Sequence, residues 1–110
     1  MDPIISLDSN GAAWILDIVL ADGDLLRLDH VRAGRLDCAA GRVLLTQGGK
    51  RCAARELELG AGEHCLVEAR AVCVLVEAVG AVRLSLRTER SPWPGSRRPA
   101  ARLARRRVPA

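Results

Sequence analysis

An all-β fold, a barrel or sandwich of six to eight short antiparallel strands followed by a disordered basic tail, is the class this sequence predicts. Three observations carry it. Apolar residues recur mostly at period two, the spacing at which alternate side chains of a strand reach one core. Glycine-rich turn signals separate the runs, and no stretch has a convincing helical period. Charge and proline change abruptly at about Thr88. Residues 1–87 hold ten Lys and Arg against twelve Asp and Glu, whereas "TERSPWPGSRRPAARLARRRVPA" (88–110) holds seven Arg against one Glu and four of the five prolines.

The N-terminal segment, residues 1–23, reads as an added strand. In "WILDIVL" (14–20), Trp14, Leu16, Ile18 and Leu20 alternate, although Ala12-Ala13 and the length also suit a short helix. The principal domain spans residues 24–87 and opens with the strand "DLLRLDHV" (24–31). "GRLDCAAGRVLLTQ" (34–47) reads as two short segments split by Gly41, with Leu36 and Cys38, then Val43 and Leu45, pointing the same way. Gly48-Gly49 fits a two-residue hairpin turn, which needs φ > 0. That turn sets Leu45 across from Cys52 and Val43 across from Ala54. "RELEL" (55–59) continues the alternation to a turn at Gly60-Ala61-Gly62. A weaker turn near Ala69-Arg70 precedes "AVCVLVEAV" (71–79), apolar on both faces through Val76, and "AVRLSLR" (81–87) alternates again.

A chain of 110 residues has room for one domain. It contains no Phe or Tyr, two Trp and one Met, so the core must be built from Val, Leu, Ile, Ala and Cys. The start of the chain carries Asp2, Asp8 and Asp17 and no basic residue before Arg27, the wrong charge for a secretory leader. The apolar run Ala12 to Ala21 contains Asp17 and is too short for a membrane span. A cytoplasmic protein is the expectation. Cys38, Cys52, Cys65 and Cys73 are 14, 13 and 8 residues apart, so no Cys-x-x-Cys pair exists, and free thiols are expected in a reducing compartment.

The segments "GRVLLTQGG", "LELGAGE" and "VCVLVEA" followed by "AVRLSL", in this order and at these spacings, resemble a small bacterial family, domain of unknown function 2917, over roughly Asp24 to Leu86. The family's usual aromatic near Leu44 and its frequent proline where Ala61 stands are missing here. The family looks related to cupins, conical β-barrels whose mouth often holds a metal. The resemblance therefore implies a small cupin-like barrel or jelly-roll-type sandwich, and it assigns no activity.

A catalytic cupin site needs three His and one Glu, or two His and a carboxylate, converging on one face of an ion. This chain has only His30 and His64, so a three-His site within one subunit is impossible. A two-His site requires His30 and His64 to meet inside the barrel with Asp29, Glu63 or Glu68, and a mixed zinc site would use His64, Cys65 and Cys73. If residues 63–67 and 71–79 form a hairpin about Ala69-Arg70, Cys65 and Cys73 fall on opposite faces. Cys38, Cys52 and one of Cys65 or Cys73 then read as core fillers, no cofactor is expected, and a degenerate metal enzyme is the less favoured alternative. No serine lies in a Gly-x-Ser-x-Gly elbow, and Gly48-Gly49-Lys50 is too short for a phosphate loop.

The tail segment "RRPAARLARRR" concentrates Arg97, Arg98, Arg102, Arg105, Arg106 and Arg107. Such a run neutralises phosphates or anionic lipid without reading sequence, so any nucleic acid would bind through the tail. It lacks the interleaved aromatics that stack on bases. The favoured function is a non-catalytic domain that binds a small molecule, a partner protein or a second copy of itself. A core of about 65 residues is marginal alone, which makes a homodimer the expected partner state.

Overall fold

A computed structural model describes residues 4–49, 52–67, 73–90 and 98–104. These form β1 (Ile4–Leu7), β2 (Ala13–Leu20), β3 (Leu25–Asp29), β4 (Arg35–Gly49), β5 (Cys52–Gly60), β6 (His64–Leu66), β7 (Cys73–Glu89) and β8 (Ala100–Ala104), joined in one antiparallel sheet. Strand β7 organises it. One edge of β7 pairs with β4 from Gly48↔Cys73 to Arg35↔Arg87, and the other pairs with β3 over Cys73–Glu77 and with β2 over Val82–Glu89. On its far edge β4 takes β5 and then β6. The sheet thus has two halves, β1-β2-β7-β4-β6 and β8-β3-β7-β4-β5, and the long strands β4 and β7 run through both.

The halves meet along a line of backbone irregularities. Gly41 and Gly80 hold φ of 81° and 79°, a region that L side chains avoid, and the β4–β7 register shifts on either side of Ala40. Gly41 is also packed too tightly for any side chain, since a Cβ there would stand 2.2 Å from the Ala81 carbonyl oxygen. Polar groups tie the bend together. The Gly80 amide donates to Asp22 Oδ1 at 2.8 Å, and the Ala78 amide donates to the Asp24 carbonyl at 2.9 Å.

Period-two patterning from both halves converges on one core. Leu16, Ile18 and Leu20 of β2, Leu36 and Cys38 of β4, and Val82, Leu84 and Leu86 of β7 face Leu26 and Leu28 of β3, Val43 and Leu45 of β4, Leu59 of β5, and Val74 and Val76 of β7. Each is at most 3% exposed. Full burial of such a side chain contributes about 1.5–3 kcal/mol. Thr88 is the only buried polar residue among those described. Its hydroxyl donates to the Arg32 carbonyl at 3.0 Å and accepts from the Arg32 amide at 2.8 Å, pinning the β3–β4 connection to the end of β7.

Several local expectations change. Residues 14–20 are strand, and a further strand, β1, precedes them. Residues 35–49 and 73–89 are each one bent strand, because the glycines at 41 and 80 turn the chain without ending its pairing. Strand pairing reaches Gly49↔Cys52, so Gly48 and Gly49 belong to β4 and do not form the expected two-residue turn, and residues 50–51 lie outside the described residues. Leu45 therefore faces Leu57 and Val43 faces Leu59, in place of Cys52 and Ala54. That register sets leucine beside the apolar face of β4 where the expected one would set alanine and cysteine. Strand β6 pairs with β4 and not, among the described residues, with β7 as expected, and Ala69-Arg70 lies outside the described residues. The boundary before Thr88 cuts β7 short by two residues, and residues 100–104, expected in the disordered tail, form β8 along β3. Residues 91–97 and 105–110 of that tail lie outside the described residues.

Candidate functional site

The Gly60-Ala61-Gly62-Glu63 turn, where a barrel histidine would earn suspicion as a ligand, is built by its own backbone. Gly62 has φ of 85°, its amide donates to the Cys38 carbonyl at 2.8 Å, and the Cys38 amide donates to the Glu63 carbonyl at 3.0 Å. The Glu63 carboxylate accepts from the Gly60 amide at 2.8 Å and closes the turn. Glu63 is thereby committed to structure. The next residue, His64, opens β6 opposite Asp37 and is exposed, while Cys65 turns the other way and packs against the core.

His30 follows β3 in the left-handed region, φ 59°, and is also exposed. Neither histidine is among the residues lining the interior. Of the acids considered with them, Asp29 pairs with Arg27 at 3.1 Å, Glu63 caps the turn, and Glu68 lies outside the described residues. Among the described residues, no three His, Cys, Asp or Glu are placed to share an ion. A metal centre in the mouth of such a barrel draws on inward-facing nitrogen and oxygen donors. Here the inward positions carry hydrocarbon, apart from Cys38 and Thr88, and the Thr88 hydroxyl is satisfied by backbone. The described residues do not fit a cupin metal.

The Cys38 and Cys65 thiols are equally unsuited to nucleophilic work, which requires the thiolate. Burial, followed by the Glu63 charge, pushes Cys38 above its ordinary value of 9.0 despite an opposing backbone bond, and its Sγ lies 3.4 Å from the Ala40 carbonyl. Burial and the Asp37 carboxylate push Cys65 upward too. Cys73 is half-buried and alternates with the inward Val74, so Cys65 and Cys73 do face opposite ways, although through a different pairing from the one expected. The Cys52 side chain lies outside the described residues.

The structure brings three tail arginines onto the domain. The Arg98 guanidinium lies 4.7 Å from the centroid of the Trp14 ring, with Arg90 at 5.8 Å, both within cation–π range. Arg102 sits on β8 directly opposite Arg27 of β3, and both are exposed. Sequence reasoning missed Arg27, because nothing in the sequence reveals that β8 returns to β3. Arg97, Arg105, Arg106 and Arg107 lie outside the described residues.

No family model matches the chain, and no curated protein matches it. Solved structures do. A variant of oxalate decarboxylase from Bacillus subtilis superimposes with a TM-score of 0.66 at 16% identity over 77% of this chain, which spans only 24% of that one. A cupin superfamily protein from Desulfitobacterium hafniense gives 0.63 at 14% identity, covering 81% of this chain and 76% of that one. A cupin-2 domain containing protein from Shewanella frigidimarina gives 0.56 at 14% identity, covering 81% and 80%. At these identities the likeness concerns the backbone. The curled antiparallel sheet, its bent long strands and its single interior core are those of a small cupin-fold domain.

Proposed function

We propose that this chain is a non-catalytic cupin-like domain, a member of the bacterial family that its middle segments resemble, acting as a binding module that self-associates. The observation that carries the reading is the interior. Where a catalytic cupin needs converging donors, this barrel packs Leu, Val and Ile, and its two histidines stand outside. Exposed apolar side chains on edge strands support self-association: Ile4, Ile5 and Leu7 on β1 and Leu103 on β8 are 41–69% exposed. Free thiols at Cys38, Cys65 and Cys73 suit a reducing, cytoplasmic setting. Sedimentation should detect a dimer in the micromolar range, and a monomer at high micromolar concentration overturns self-association. Elemental analysis of tag-free protein should find no stoichiometric transition metal, whereas an equivalent of bound metal overturns the non-catalytic reading.

A second reading, anion binding through the basic C-terminal segment, is favoured by one specific observation. Like charges directly opposite on neighbouring strands repel, yet Arg27 and Arg102 are so placed, and the sequence continues into Arg105, Arg106 and Arg107. A bound phosphate or anionic surface would relieve that repulsion. Binding of full-length protein to heparin and to anionic vesicles should weaken with salt and fall in Arg102→Glu. Unchanged binding in that variant rejects this reading.

A further inference from the structure

Where β4 and β7 bend, the outer surface carries a hollow of about 340 Å³ lined by Val19, Ala39, Ala40, Ala81, Val82 and Arg83. Its shape follows from the strands. Between Arg83 and Val79, β7 runs three residues where β4 has only Gly41 between Ala40 and Arg42, so the pairing opens, and the residues around the opening are alanines. The Gly41–Ala81 contact and the Gly80–Asp22 hydrogen bond fix the backbone on both sides, so the hollow exists before anything enters it.

Arg83 stands beside this hollow, paired in register with Val19 on one neighbouring strand and Ala40 on the other. Its charge is distinctive. Arg27, Arg35, Arg42 and Arg87, the other arginines of β3, β4 and β7, make ion pairs with Asp29, Asp37, Glu58 and Asp8 respectively. Arg83 has no carboxylate partner among the described residues. Its register neighbours are apolar, and a lone guanidinium over an alanine-lined depression has a two-pronged donor set with nothing to accept it.

We propose that this corner hollow is a binding site for a small amphipathic carboxylate, with the carboxylate on Arg83 and a short apolar body over Ala39, Ala40 and Ala81. The volume lies at the small end of ligand pockets, and apolar walls with one convergent charge are the usual chemistry of such sites. The site lies on the outer face of the bend and reaches the interior core at Val82. The proposal deepens the binding-module reading and rests on it.

The test is methyl NMR on full-length protein labelled at alanine, titrated with octanoate. Saturable shifts are expected at Ala39, Ala40 and Ala81, with dissociation in the millimolar range for a ligand of this size. Arg83→Gln should weaken binding at least fivefold, Arg83→Lys should retain part of it, and Ala81→Leu, which fills the hollow from an exposed position, should abolish it. Octyltrimethylammonium should give no saturable shift at these methyls. Absence of octanoate shifts there, unchanged affinity in Arg83→Gln, or equal binding of the cationic probe overturns the corner site while leaving the parent reading intact. Stoichiometric metal in the purified protein overturns that parent reading instead. Unperturbed methyl signals elsewhere establish that each variant is folded.

Discussion

Asp8 ties the first turn of the chain to β7. Its carboxylate accepts from the Ala12 and Ala13 amides at 2.8 and 3.3 Å and from Arg87 at 2.6 Å. Burial alone would raise its pKa, but the two amides and the guanidinium outweigh that, and the carboxyl is held below its ordinary value. A depressed carboxylate stabilises the fold at neutral pH, and that contribution is lost as pH falls through the lowered value. Asp8→Asn should therefore lower the melting midpoint at pH 7, and the difference from the parent protein should shrink as pH falls below the ordinary carboxyl value of 3.8, as thermal melts across pH will read. Thr88 is a second test at this scale. Thr88→Val keeps the shape but strands the Arg32 amide, which should cost about 1–3 kcal/mol in urea unfolding, with Thr88→Ser milder. At Cys38 and Cys65, raised thiol pKa values mean slow reaction with Ellman's reagent at neutral pH, with the rate still climbing past pH 9.0.

Strand content was legible because alternation survives in almost every segment, from Leu16-Ile18-Leu20 to Val82-Leu84-Leu86. Bends were not legible. Glycine is common to turns and to kinked strands, so Gly41 and Gly80 read as breaks although the pairing carries on past them. Gly48 illustrates the reverse error: read as a turn residue, it lies within β4 with open space where a Cβ would go. The two positions should respond differently. Gly41→Ala places a Cβ against the Ala81 carbonyl in a left-handed backbone, at a cost of about 1–3 kcal/mol from the backbone region alone, before the clash is counted. Gly48→Ala should be near neutral, and paired denaturation curves decide between them. Strand β8 went unseen because its sequence is short, mostly alanine and beside proline. Its pairing with β3 is an ordering that only the tertiary context supplies.

For the molecule as a whole, the absence of a three-histidine centre followed from counting, since two histidines cannot make three. Where those two would point was beyond counting, because His30 sits after a strand in a left-handed conformation and His64 on a three-residue edge strand. The corner hollow was invisible for a similar reason: Val19, Ala40 and Arg83 are distant in sequence and meet only through register. The resemblance to a family of cupin-like domains did anticipate the architecture, and backbone superposition supports it.

Strand β7 has a further consequence, for synthesis. Strand β2, whose partners span Val82 to Glu89, has only the four-residue β1 beside it until the last third of the chain leaves the ribosome. The β3–β4 connection likewise waits for Thr88. The first seventy or so residues therefore emerge with their apolar faces uncovered, a nascent chain that invites chaperones and refolds slowly, in milliseconds to seconds, as nonlocal β topologies do.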